Sequence, residues 1–438
     1  MTLNPRGDAA KKPVQSAAVC LPTPNSFSAG LFPSQLLPVD RERIEANVQG
    51  IGRGLLNRAI ARQPSPVSPE WWVQQAGEWA THDDALKIRL FRLIDCMPML
   101  EDPVSLNRHV REYIDDETIR ALPNPLRLAL QAARSGVLAP LAARAVRAAT
   151  LAQARRFIAG TTPLEASRAA FEERRLHRGF TLDLLGEAVT SETEADAYAA
   201  AYSHLLQELP EIAAHWVYDA LVDAGPGAPL PRVNVSLKLS ALDSQYDAID
   251  PQGTTSRVLA RLRPLWRLAR AQHAQVHIDM ESYATKDLAL VIFKQIASEE
   301  EFRDWPHCGI VVQCYLRDAP KDLMDLLEWA RTRGTPIWVR LVKGAYWDYE
   351  TIHAQAAGWP VPVWEEKWQT DACFEAATTF LLEHAQLLRP ALGSHNVRSL
   401  AHGMAVAEHL GIRREAIEMQ MLYGMGDAEK EAVTAAGW

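Results

Sequence analysis

From Phe180 onward the chain alternates short apolar runs, polar at every second residue, with longer stretches whose apolar residues recur at helical spacing. The run Val339 to Asp348 is the most informative. Counting by twos from Arg340 puts Val342, Gly344 and Tyr346 on its face, while Ile337, Val339 and Leu341 point the other way. The same construction predicts strands in Phe180 to Val189, with Asp183 and Glu187 on the polar face, and in Val233 to Leu242, with Ser236, Lys238 and Ser240. His277, Asp279 and Glu281 oppose Val276, Ile278 and Met280, and Gln313 with Tyr315 opposes Val312 and Cys314. Ala391 to Asn396, with His395 near its end, and Glu418 to Leu422, with Gln420 and Leu422 on one face, complete the series.

The stretches between predict helices. Val258, Leu262, Leu265, Trp266 and Ala269 recur at helical spacing in Thr254 to His273, and Leu323, Leu326, Leu327 and Ala330 do so between Pro320 and Gly334, a tolerated first-turn proline and a common helix stop. Unbroken strand–helix alternation implies parallel strands joined by crossovers, and closing such units into a ring gives an α/β fold of the (β/α)8 TIM-like barrel class. A lumen lined by Asp183, Lys238, Asp279, Gln313 and Arg340 suits a polar ligand better than the branched apolar filling usual in such barrels.

The first part of the chain differs. Residues 1–38, rich in Pro, Ser and Ala without periodicity, predict a disordered lead-in. Residues 39–160 read as helix, with breaks at Pro64 to Pro69, Pro103, Pro123 to Pro125 and Pro140. They predict an all-α arm or domain that wraps the barrel or mediates self-association as a homodimer. The barrel is assigned residues 161–438. A net charge of -8 spread over the chain argues against nucleic acid as a partner, and 48% hydrophobic content supports a large core. The five cysteines (Cys20, Cys96, Cys308, Cys314, Cys373) form no close pair, as expected in a reducing compartment. No apolar run reaches the roughly 18 residues of a membrane span and the start lacks a secretion pattern, which points to the cytoplasm.

Other motifs have plainer readings. Gly50-Ile51-Gly52-Arg53-Gly54 has glycines at phosphate-loop spacing but no preceding strand, and Gly424-Met425-Gly426 lacks a third glycine. Arg144, Arg147, Arg155, Arg156, Arg174, Arg175 and Arg178 read as a solvated helix face. His277, His307 and His395 lack a carboxylate at ligand spacing, so no metal is expected. Trp338, Trp364 and Trp368 read as packing residues, and Trp347, directly after the cavity strand, as a ligand contact.

The chemistry therefore falls to lumen residues at the carboxyl ends of strands. Lys238 is either a Schiff-base nucleophile or a cation that pairs with Asp183, Glu187 or Asp279 and neutralises a ligand carboxylate. Arg340 never loses its proton and can stabilise developing negative charge. Spacing alone leaves open an anionic substrate, an electron-rich cofactor, an aldolase or lyase using Lys238, and a non-catalytic remnant.

Arg340-Leu341-Val342-Lys343-Gly344-Ala345-Tyr346-Trp347-Asp348 resembles the signature strand of the flavin-dependent proline dehydrogenases, in particular the proline dehydrogenase half of the bifunctional proline utilization A proteins. Supporting segments follow in order: Phe180 to Ala188, Lys238 to Leu242, Ile278 to Glu281, Val311 to Tyr315, Ser394 to Asn396 and Leu422 to Gly426. The resemblance covers about Phe157 to Trp438. It implies FAD inside the barrel, hydride transfer from proline C5, beside the ring nitrogen, to flavin N5, and Δ1-pyrroline-5-carboxylate as product. Electrons then pass to a quinone, with peripheral contact at the inner face of a bacterial membrane. Position by position, it implies that Arg340, Val342, Gly344 and Trp347 contact the flavin, that Gln313 lies near its ring, and that Lys367, Thr370, His395 and Asn396 surround the phosphate and adenosine parts. Lys238 then holds the substrate carboxylate, while Asp279, Tyr346 and Leu422 line the L-proline pocket.

In that family a last strand bearing a tyrosine and a last helix with two adjacent arginines follow the Gly-Met-Gly segment, whereas this sequence ends at Gly437-Trp438. The resemblance thus implies a barrel lacking its last strand and helix, a Glu187 without its arginine partner, and a cofactor wall without the carboxylate clamp, so that this chain alone is expected to be poorly active.

Overall fold

The computed structural model describes residues 27–28, 30–62, a scatter of positions between 88 and 113, 157–186 and 188–438. Glu187, Arg144, Arg147, Arg155 and Arg156, most of the lead-in and most of the expected arm lie outside the described residues.

Helix α1 (Pro38–Ala61) is followed by α2 (Pro163–Arg175), β1 (Leu182–Asp183), α3 (Glu192–Ala213), α4 (Ala220–Asp223), β2 (Asn234–Leu237), α5 (Pro251–Ala271), β3 (Gln275–Ile278) and α6 (Tyr283–Ser298). Next come β4 (Cys308–Gln313), α7 (Ala319–Arg333), β5 (Ile337–Val342), α8 (Trp347–Ala357), α9 (Lys367–Glu383), β6 (Leu388–Gly393), α10 (Val397–Leu410), β7 (Glu418–Gln420) and α11 (Asp427–Ala435). Local chemistry sets the boundaries. The Thr162 and Asp250 side chains accept from Glu165 N and Gly253 N, and each precedes a proline at the first helical position. Gly334 stops α7 at φ 76°, which a residue without Cβ adopts freely.

The seven strands form one parallel sheet in the order β1 to β7. Outward residues Val235, Leu237, Val276, Ile278, Ile310, Val312, Ile337, Val339, Leu341 and Leu392 are buried with Leu262, Leu265, Trp266, Phe293, Leu323 and Phe374 of the helices. Each such side chain contributes about 1.5–3 kcal/mol of transfer free energy. The inward set is held in register: Ser236 is level with His277, His277 with Gly309, and Gly309 with Trp338. One step higher, Val311 pairs with Arg340, Arg340 with Ala391, and Ala391 with Glu418.

Several predicted strands are too long. Phe180 to Val189 keeps only Leu182–Asp183, and the chain leaves the sheet at Leu237, Val342, Gly393 and Gln420. Lys238 therefore lies just past β2, before a single 3-10 turn over Leu239–Ala241, and Tyr346 and Trp347 open α8. Alternation persisted in the sequence beyond the strands because the loops also bury one side.

Some of the described residues before 39 pack against the barrel helices. Phe32 is buried and stacks on Phe380 at 4.9 Å, and Ser34 Oγ donates to Glu383 Oε1 at 2.8 Å. Helix α1, inside the stretch assigned to the arm, lies against α10 and α11, where Arg398 donates twice to Glu45, at 2.9 Å each. The Gly50–Gly54 motif is interior to α1, with Gly52 facing Ala401 of α10. Arg174, expected on a solvated face, is instead buried; it binds both oxygens of Asp223, the last residue of α4, and Val217 O. No helix among the described residues is long and apolar enough to cross a membrane.

Candidate active site

The lumen holds a cavity of about 1460 Å³ that reaches from the strand starts at Asn234, Gln275 and Glu418 to the carboxyl ends of the strands. Its wall includes Asp183, Ser236, Lys238, Asp279, Gln313, Arg340, Val342, Gly344, Tyr346, His395, Glu418 and Leu422. Asp279 sits at the junction of two cations. Its Oδ1 accepts from Arg340 Nη1 at 3.0 Å, and its Oδ2 from Lys238 Nζ at 3.2 Å. Lys238 Nζ also donates to Asp183, and Arg340 Nη1 to Ser236 Oγ at 2.7 Å. Gln313 Nε2 donates to Met280 O at 2.8 Å and Glu281 O at 3.1 Å, which fixes the amide plane. Three buried atoms of this group have no hydrogen-bond partner: Arg340 Nε, Arg340 Nη2 and Gln313 Oε1. Two donors and one acceptor are thus withheld from water and from protein, a costly arrangement unless a ligand takes them up.

Burial works against the charge on Lys238, but Asp279 and Asp183 more than offset it and raise its pKa above the ordinary lysine value. A Schiff-base nucleophile needs the opposite shift, because only the neutral amine attacks. Lys238 is accordingly a fixed cation, which removes the physical basis of the aldolase reading. His277 lies beneath the cavity, fully buried, with Nδ1 3.1 Å from Asn234 Oδ1; burial first and Arg340 second hold its pKa well below the usual value, so the imidazole is neutral. Among the described residues no group of three or more His, Cys, Asp or Glu is placed to hold a metal ion.

The proline dehydrogenase family model matches residues 166–438, and the proline utilization A N-terminal domain model matches residues 45–157. The chain belongs to the proline dehydrogenase family. The bifunctional protein PutA of Salmonella typhimurium is 29% identical over 300 residues, 67% of this chain and 22% of that protein. Proline dehydrogenase 1 of Bacillus subtilis is 27% identical over 285 residues, 65% of this chain and 79% of that one. Among solved structures, proline utilization A from Bdellovibrio bacteriovorus inactivated by N-propargylglycine has 37% identity and a TM-score of 0.81, covering 90% of this chain and 39% of that one. The chain therefore spans about a fifth of the bifunctional relative from Salmonella and most of the proline dehydrogenase from Bacillus.

Within this proline dehydrogenase barrel the residues expected at the site fall into two groups. Lys238, Asp279, Gln313, Arg340, Val342, Gly344, Tyr346, His395 and Leu422 all line the cavity, Leu422 at an exposed rim position. His395 Nε2 accepts from Leu422 N at 2.9 Å, so the rim after β7 is anchored to the end of β6. Trp347, Lys367, Thr370 and Asn396 lie off that wall. Trp347 donates to Trp364 O at 2.8 Å, Lys367 pairs with Asp371, Thr370 is buried in α9, and Asn396 caps α10 by accepting from Ser399 N at 3.1 Å. Sequence reasoning missed Asn234, Gln275 and Glu418, which also line the cavity. Counting by twos back from Ser236, His277 and Gln420 would have reached all three.

Proposed function

We propose that this chain oxidises L-proline to Δ1-pyrroline-5-carboxylate with FAD held in the lumen, and that the electrons leave to a quinone. The observation that carries this reading is the orphaned donor–acceptor set of Arg340 Nε, Arg340 Nη2 and Gln313 Oε1, buried at the wall of a cavity of about 1460 Å³. A flavin ring presents acceptors and an N–H donor along its edge, so those three atoms fit it. Bound there, FAD supplies the two-electron acceptor for hydride.

The chain's own residues supply the rest. Arg340 is a permanent cation at the cavity wall and would offset the negative charge that a bound flavin ring gains on reduction. Lys238, kept charged by Asp183 and Asp279, takes the substrate carboxylate, and Asp279 fixes the spacing of the two cations. Tyr346 and Leu422 bound the substrate end and exclude water. Lys367 and Thr370, in the first turn of α9, and His395 and Asn396, just before α10, would hold the phosphate and adenosine parts, with Trp347 beside the ring. Purified chain should be yellow, and anaerobic L-proline should bleach it. A colourless protein that takes up no added FAD, or a flavin that proline leaves oxidised, would overturn the reading.

A further inference from the structure

The described residues from Phe27 to Leu36 meet α9 at both of its ends. At its start the Phe27 ring lies edge-on to Trp364 and Trp368, with ring centroids 5.0 and 5.4 Å away. At its far end Phe32 stacks on Phe380 at 4.9 Å, and Ser34 Oγ and Gln35 N both donate to Glu383 Oε1, at 2.8 and 2.9 Å. Trp364 and Trp368 flank Glu366, the N-cap of α9, so Phe27 bridges the point where the helix begins. That point is joined to the cavity wall. Trp364 N donates to Tyr315 O at 2.8 Å and Trp364 O accepts from Trp347 Nε1 at 2.8 Å, while Lys367 of the first turn shares Asp371 with Lys343, a cavity residue.

We propose that this segment is a strap that orders the start of α9 for a nucleoside diphosphate, with Phe27 as its positioning residue. The ligand class rests on the function proposed above, in which Lys367 and Thr370 hold the phosphate and adenosine parts of FAD; the contacts of the strap do not depend on it. The first turn of a helix frays readily because its amide groups have no partner within the helix. A ligand that must impose order on a frayed turn binds more weakly than one that finds it formed. Phe27 acts through the two tryptophans. Its removal takes two aromatic pairs from the helix start and leaves the anchors at Phe380 and Glu383 untouched, so the effect is confined to the first turn.

The test is calorimetric titration of the full chain, stripped of any flavin it carries, with ADP, beside hydrogen exchange of the amides of residues 367–371. Phe27→Ala should weaken ADP binding about tenfold and speed exchange in that turn. Phe27→Tyr keeps the ring and should restore both. Ser34→Ala loosens only the far anchor and should leave the Kd for ADP unchanged, which separates a preformed ligand site from general stiffening of α9. Equal ADP affinity in wild type and Phe27→Ala would overturn the inference, as would faster exchange without loss of affinity, or no ADP binding by the wild-type chain. A chain whose ADP binding depends on Phe27 but which takes up no flavin would retain this inference and sink the flavin reading. A yellow, proline-oxidising chain that holds ADP equally well without Phe27 would do the reverse.

Discussion

Arg340 donates to Asp279 at 3.0 Å through Nη1 and keeps Nε and Nη2 buried without a protein partner. The contact aims the guanidinium without using up its donors. Asp279→Asn keeps the shape and removes the charge that holds both Arg340 and Lys238. Proline turnover, expressed as kcat/KM, should fall roughly 10- to 100-fold, equivalent to about 1.4–2.7 kcal/mol of transition-state stabilisation. An unchanged value would show that the cations are held by something else.

Arg340→Lys retains the charge and loses the planar fork. If the orphaned Nε and Nη2 are what the cofactor uses, flavin content after purification should drop sharply and turnover by about 10²–10³-fold, as for loss of an aimed donor. Visible absorbance per chain measures the first effect and steady-state rates the second.

Lys238 should resist reductive trapping. With its pKa raised by Asp279 and Asp183 against the effect of burial, borohydride treatment with an aldehyde or keto acid should leave no adduct on this residue by peptide mass. A stoichiometric adduct would revive the aldolase reading.

Gly344 has φ 123°, and a Cβ there would stand 2.5 Å from the Tyr315 ring. Gly344→Ala should cost about 1–3 kcal/mol and displace the loop between β5 and α8, lowering the midpoint of thermal unfolding by several degrees. A midpoint within one degree of wild type, roughly the effect of a neutral surface change, would refute the steric argument.

His307 has its pKa lowered to about 4, mainly by burial and then by His273, whose ring lies 5.4 Å away edge-on. The unfolded chain takes up a proton at its ordinary value near 6.5 while the folded chain does not, so stability is full above that value and declines as the pH falls from 6.5 toward 4. On the order of 2 kcal/mol should be lost across this window, and His307→Gln should flatten that part of the curve in denaturant titrations at each pH.

Much of the site was legible before any coordinates. Arg340 alone among the apolar residues Val339 to Val342, and polar residues at every second position of Gln275 to Asp279, mark an inward face wherever helices must cover the outward one, so Arg340, Asp279 and Gln313 could be placed in one chamber. The ends of the strands were not legible. Alternation continues through Lys238 to Leu242 and through Gly344 to Tyr346, because the 3-10 turn after β2 is buried and the loop after β5 closes over the cavity. Neither was the burial of Arg174, whose partner Asp223 is 49 residues away.

By itself, the order of residues determined the parallel barrel class and the membership of its lumen, because period-two and period-3.6 patterns depend only on local backbone geometry. Which charges balance which was decided in three dimensions. Asp183, Lys238, Asp279 and Arg340 come from four different strands or strand ends, and strand register set their distances: among the described residues it gave Asp279 two cations, Lys238 two acids, and Glu418 no cation within salt-bridge reach. Pairing at 3 Å depends on that register, and a linear pattern carries no record of it.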